Sequence, residues 1–205
     1  PATLDDEKKF LPSDDQQVRA IIETIIQTCL ESEADLNELD AKVGDGDTGT
    51  TFAAAARTVR TELDNLPLAN GSDLLAVLSE FKAKSMGGSS GVLFAILFAN
   101  ASEAYKANND WGLALSAGLD AMKKYGGADL GDRTLIDSLE PALVTIVNGG
   151  NLAAAAVQAR KGADGTASMM SAKAGRSSYL DARSLDGFAD PGAEGIARIF
   201  EAISK

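Results

Sequence analysis

Histidine is absent from all 205 residues, which removes Ser-His and Cys-His nucleophile pairs, histidine metal ligands and the usual general base of neutral-pH chemistry. Any catalysis must therefore run on carboxylates, cations, backbone amides or a bound metal. Cysteine is almost absent as well. Cys29 stands alone among Ile21, Ile22, Ile25 and Ile26, which excludes a disulfide scaffold and a thiolate zinc cluster and reads as a buried thiol in a reducing compartment. No apolar run approaches the roughly 18 residues of a membrane-spanning helix, and no signal pattern opens the chain, so a soluble, cytoplasmic protein with no membrane partner is expected. Basic side chains are in deficit, 19 against 30 acidic ones, and the resulting charge of −11 argues against a surface built for nucleic acid or anionic lipid. An acidic protein can still hold nucleotide phosphates where divalent cations carry the charge.

What is present is enough apolar material, 45% of the chain, for one sizeable core. The opening PATLDDEKKFLPSDDQQ is polar and acidic with little to bury, so residues 1–12 read as the tail of an interdomain linker and 13–205 as the domain. From Pro12 onward, Val18, Ile21, Ile22, Ile25, Ile26, Cys29 and Leu30 follow helical spacing, with Ser13 or Asp14 placed to cap the start. Similar segments follow at about 50–65, 72–85, 89–107, 110–125, 132–148, 151–171 and 191–204. The alternation of β-branched residues that a strand needs is missing, and alanine-rich stretches such as 51–60 and 152–160 favour close helix packing. The expected fold is all-α with eight sequential helices.

Short connections make successive helices antiparallel, so the connections alternate between two ends of the bundle. The first, third, fifth and seventh read DAKVGDGDTG, KSMGGSSG, YGGADLGDRT and AKAGRSSYLDARSLDGFADPG, all rich in Gly, Asp, Ser, Thr or Arg. The second, fourth and sixth, LPLANGSD, ANND and VNGGN, are ordinary polar turns. One end is expected to carry the chemistry, the other only structure.

In DAKVGDGDTGTT, Asp40, Asp45 and Asp47 crowd three carboxylates at the junction of two helices. Like charges so close destabilise one another unless a hard divalent cation takes their oxygens, so Mg²⁺ or Ca²⁺ is the natural counterpart. An EF-hand fails: counted from Asp45, position five is Gly49 and position twelve is Ala56, where an acid is required. The competing reading is a solvated turn in which Asp serves as a helix cap. Gly46 and Gly49 let backbone approach a ligand, while Thr50 and Thr51 open a helix whose N–H groups and dipole favour phosphate oxygens. Gly87, Gly88, Ser89, Ser90 and Gly91 precede another helix, a feature that alone would more often be a simple break. Asp132 or Thr134 can cap the sixth helix, and Arg133 or Lys124 can pair with a nearby acid. Arg176 either stabilises charge on a transferring phosphoryl group or is an ordinary surface arginine. Asp190, Pro191 and Gly192 make an N-cap with proline at the first helical position. No GxxxxGK[ST] and no strand-borne GxGxxG occurs.

Taken in order, DxxxxGDGDTGTT, MGGSSG, YGGADLGDRTLIDSL, AGRSSY and DPG resemble the nucleotide-binding domain of dihydroxyacetone kinases, from about Val18 to the end. That resemblance implies a closed barrel of eight antiparallel helices with ATP or ADP at one end. It also implies that Asp40, Asp45 and Asp47 hold two Mg²⁺ ions, that Thr48, Gly49, Thr50, Thr51, Ser89 and Ser90 contact the phosphates, and that Gly126, Leu135, Arg176, Asp190, Pro191 and Gly192 line the rest of the site. In such kinases a separate domain of the longer chain traps dihydroxyacetone through a histidine, which this chain lacks. The implied reaction is in-line transfer of the γ-phosphoryl of ATP to a hydroxyl of that substrate, with the metal ions and Arg176 offsetting charge. Single-chain members use ATP, and some also phosphorylate glyceraldehyde or split FAD. Separate subunits keep ADP and are recharged from phosphoenolpyruvate. The opening linker and Thr48, where the separate subunits often carry histidine, favour the ATP-dependent branch. A homodimer is implied by resemblance alone. A non-catalytic nucleotide or metal module and a purely structural bundle are the rival readings.

Overall fold

The computed structural model describes residues 10–85, 88–169, 185 and 187–205. Among them are nine α-helices and no strand: α1 (Gln16–Glu31), α2 (Glu33–Val43), α3 (Thr48–Glu62), α4 (Gly71–Ser85), α5 (Gly88–Asn108), α6 (Trp111–Gly126), α7 (Ile136–Val147), α8 (Leu152–Thr166) and α9 (Pro191–Ile203). The all-α expectation holds. The eight expected helices become nine because the sequence pattern gave residues 31–39 no element of their own, whereas α2 occupies that stretch. The break is a single residue, Ser32, whose φ of −86° and ψ of −5° barely depart from helix. A junction that closes one helix and opens the next without Gly or Pro leaves little trace in a sequence.

Local chemistry explains most boundaries. Asp15, rather than Ser13 or Asp14, caps α1: its Oδ1 accepts the N–H groups of Gln17 and Val18 at 3.0 Å. Ser13 is used elsewhere. Its N–H donates to the Leu66 carbonyl and its carbonyl accepts from the Leu68 N–H, tying the chain start to the segment behind a short 3₁₀ turn, Leu63–Asn65. Asp110 and Asn151 cap α6 and α8. Gly127, at φ 73°, ends α6 in the left-handed conformation that glycine adopts without penalty. α7 begins at Ile136, four residues later than the expected 132, because 127–135 is taken up by a tight loop.

α3 packs on α4, and each later helix on its successor through α8 and α9; α9 returns to α1, α2 and α3. Small side chains permit this closeness. Ala142, Ala155, Ala159, Ala163, Ala193 and Ala197 are all buried between α7, α8 and α9. Pro141 lacks the N–H that would bond to the Asp137 carbonyl, and Gly162 of α8 lies so near that carbonyl that any Cβ would overlap it.

Among the described residues, the contacts between connections fall into two groups, as loop parity requires. At one end Gly71 abuts Tyr105 and Trp111, and Gly112 abuts Ile146 and Val147. At the other, Lys42 lies over the Phe188 ring at 5.6 Å, Leu135 meets Gly192, and Leu93 meets Gly126. No helix among the described residues is long and apolar enough to cross a membrane.

Candidate functional site

The site end is organised by Asp40, a buried carboxylate one turn before the end of α2. Its Oδ2 accepts three hydrogen bonds of 2.9 Å, from the N–H of Asp47, the N–H of Thr48 and the Thr48 hydroxyl. Asp40 thus satisfies orphan donors at the start of α3. Asp47 occupies the cap position of α3 but makes no side-chain capping bond, so the reading of this acidic turn as a simple helix cap is not what the structure adopts. The loop must bend sharply. Gly46 sits at φ 81°, and Gly44 lies so close to Asp40 that a Cβ would run into Oδ1. One oxygen from each of Asp40, Asp45 and Asp47 falls within 4.8 Å of the other two, with Asp45 and Asp47 exposed. Three hard oxygen donors so gathered suit an oxygen-seeking divalent cation such as Mg²⁺.

The first turn of α3 differs from expectation. The helix begins at Thr48, not 50, and its amides are mostly committed: the Thr50 N–H donates to Asn37 Oδ1 and the Thr51 N–H to the Asp47 carbonyl. A phosphate would find few free amides here. Thr50 Oγ1 accepts from Asn37 Nδ2 at 2.9 Å, which leaves the Thr50 hydroxyl proton available to donate, whereas the Thr48 proton goes to Asp40. Gly49 is buried against the Glu33 carbonyl, where no side chain fits.

The opposite wall is the start of α9. Asp190 Oδ2 accepts the Ala193 N–H at 2.8 Å, its own N–H donates to Thr166 Oγ1 at 2.7 Å, and Pro191 follows at the first helical position, as expected. Burial pushes the Asp190 carboxyl from its ordinary 3.8 up to about 6, with Asp137 and Asp40 adding to the rise and the Ala193 N–H and Arg133 opposing it.

The sequence profile of the DAK2 domain matches residues 42–205. The chain belongs to the DAK2 domain family. It is 46% identical over 200 residues to a dihydroxyacetone kinase of Citrobacter freundii, covering 96% of this chain and 36% of that protein. A triokinase/FMN cyclase of Rattus norvegicus is 39% identical over 199 residues, covering 92% of this chain and 34% of its own length. The crystal structure of the C. freundii dihydroxyacetone kinase in complex with AMP-PNP and Mg²⁺ superposes with a TM-score of 0.87 at 41% identity, over all of this chain and 36% of that one. This DAK2 domain therefore spans about a third of the length of the curated relatives it matches.

Within the DAK2 domain, the structure brings together most of the residues that sequence reasoning nominated. Asp40, Asp45 and Asp47 cluster, Thr48–Thr51 form the adjoining helix start, and Leu135 touches Gly192. Gly126 closes α6 beside Leu93 of α5, whose first turn holds Ser89 and an exposed Ser90. Arg176 lies outside the described residues. The cap position of α7 is Leu135, which makes no side-chain capping bond; the Thr134 hydroxyl accepts the Ile136 N–H at 3.2 Å, and Asp132 accepts the Asp129 N–H.

Two residues were missed or misjudged. Asp137 is buried and accepts the N–H groups of Gly131 at 2.6 Å and Thr134 at 2.8 Å, winding the loop around its carboxylate. Arg133, which with Lys124 was a candidate to pair with a nearby acid, is wholly buried at φ 59°, and among the described residues its one hydrogen bond runs from Nη2 to the Phe188 carbonyl at 2.7 Å. Its Nε and Nη1 have no partner among the described residues. Each unpaired buried donor costs on the order of 1–3 kcal/mol. The run Asp132-Arg133-Thr134 gave no clue to which side chain turns inward, since backbone sign decides it.

Proposed function

We propose that this DAK2 domain binds Mg-ATP between the Asp40–Asp47 loop and the start of α9, and that its γ-phosphoryl group passes to dihydroxyacetone, or glyceraldehyde, held on a separate domain of a longer chain. The observation that carries this reading is the gathering of three carboxylate oxygens within 4.8 Å at the helix bundle end that also holds Asp190, Leu135 and Gly192. The crystallised relative with AMP-PNP and Mg²⁺ supports it. We take residues 13–205 as the domain, and the helices as a closed antiparallel barrel in which α1 and α2 count as one kinked helix.

Asp40, Asp45 and Asp47 would hold a pair of Mg²⁺ ions, whose charge neutralises the nucleotide phosphates when bound. The residues of the chain do the rest. Asp40, fixed by three hydrogen bonds, presents its carboxylate in one orientation. Thr50 offers a hydroxyl proton to a phosphate oxygen, and Gly192 with Leu135 gives a low wall for the nucleoside. Arg176 offsets charge on the group in transfer. The chain has no histidine to trap a carbonyl, so the acceptor is held elsewhere. Thr48 and the resemblance to single-chain kinases favour ATP as a consumed substrate over an ADP that is kept and recharged.

The test is calorimetric titration of ATP into the chain with and without Mg²⁺, alongside Asp45→Ala. Mg²⁺-dependent binding that the substitution abolishes is expected. Equal binding by Asp45→Ala, or binding indifferent to Mg²⁺, would sink the site assignment.

A further inference from the structure

Arg133 is the largest side chain that the described residues bury completely. The loop before α7 is built to turn it inward. Gly131 at φ 89° and Arg133 at φ 59° reverse the backbone, while Asp137 holds the N–H groups of Gly131 and Thr134 and Asp132 holds that of Asp129. A left-handed non-glycine residue carrying a buried charge is an unfavourable combination, kept only when its surroundings over-determine it. An apolar side chain of similar length would fill the same space without desolvating a guanidinium.

The inward charge reaches the two halves of the proposed site at once. Its Nη2 grips the Phe188 carbonyl, two residues before the α9 cap Asp190. On its other side Phe188 lies under Lys42, two residues after Asp40. The carboxylates of Asp40, Asp137 and Asp190 are all buried, and Arg133 is the one buried cation among the described residues. Asp40 and Asp137 both act electrostatically on Asp190, which in turn faces Arg133.

We propose that Arg133 is a positioning residue of the nucleotide site, the buried counter-charge that holds the start of α9 at a fixed distance from the metal-binding loop, so that both meet one Mg-nucleotide. This rests on the site assignment above. Arg133 touches neither metal nor nucleotide in this role. It acts through Phe188 and Asp190 on the α9 side, and through the Phe188 ring under Lys42 on the side of the metal-binding loop.

The test is calorimetric titration of Mg-ADP into wild type, Arg133→Met and Arg133→Lys, each held well below its own melting temperature. Arg133→Met is expected to melt near wild type and yet bind about tenfold to a hundredfold more weakly, as loss of groups that orient metal ligands does, with Arg133→Lys recovering part of the affinity by restoring the charge. A folded Arg133→Met that binds as wild type refutes the role. Should that variant not fold, the Arg133 Nε–H resonance of the wild type decides: a shift on adding Mg-ADP supports positioning, and an unmoved resonance overturns it. A wild type that binds no Mg-ADP overturns the site assignment and this role with it, whereas binding shared equally by wild type and variants overturns the role alone.

Discussion

Replacing Asp190 by Asn should make the ligand-free domain more stable at neutral pH, and the reason lies in how the carboxyl is buried. Its rise from 3.8 to about 6 means that the folded state holds the proton more tightly than the unfolded chain. The stability this gives is fully present below pH 4 and is lost as pH rises through about 6, leaving a penalty of about 3 kcal/mol at pH 7.5. Asparagine caps helices as well as aspartate, so the acceptor for the Ala193 N–H survives while the charge does not. At pH 7.5 the variant should gain up to about 3 kcal/mol, or roughly 6–12 °C in Tm for a domain of this size. At pH 4.5 the gain should shrink to about 1 kcal/mol, because the folded carboxyl is then protonated while the unfolded one is still largely ionised. The assay is thermal unfolding followed by far-UV circular dichroism at both pH values, without nucleotide or metal. A variant that melts lower than wild type by the same amount at both would refute the reasoning, and would mean that attraction to Arg133 outweighs burial. A confirmed gain would mark Asp190 as a residue retained at the expense of stability, as functional residues often are.

Other consequences concern the frame. Glu194 is half-buried; burial would raise its carboxyl, but hydrogen bonds from Arg160 and Arg198 hold it below the usual range. Its stabilisation is therefore present above the ordinary glutamate range and lost as pH falls below it. Glu194→Gln should cost about 1–3 kcal/mol in urea unfolding at pH 7 by leaving two guanidinium groups short of a partner, and an unchanged midpoint would contradict this. Gly162→Ala should cost at least about 1–3 kcal/mol, because its methyl would overlap the Asp137 carbonyl where α7 and α8 cross. A crystal structure of that variant with α7 unmoved would show the close approach to be misjudged.

Much of the site was legible because its signals are local. Asp40, Asp45 and Asp47 announce themselves by like charge at close spacing, and Asp190-Pro191 by the stereochemistry of a helix start, and both lie where expected. Loop parity, which needs only helix count and short connections, placed the acidic turn, the 126–135 loop and the start of α9 at one end. The miscounted helix did not spoil this, because α1 and α2 are joined through Ser32 alone and no connection changes ends.

The sequence by itself determined the all-helical fold, the carboxylate cluster and the capped start of α9, since each depends on neighbours within a few residues. Tertiary structure alone decided which atoms those groups are left with. Asp40 spends one oxygen on the α3 start, Asn37 takes the Thr50 amide, and Arg133 is turned into the interior by a backbone reversal. Hydrogen-bond partners and burial are set by residues distant in the chain, so spacing cannot report them, and that is why the burial of Arg133, the most deeply buried charge at the site end, was not foreseen.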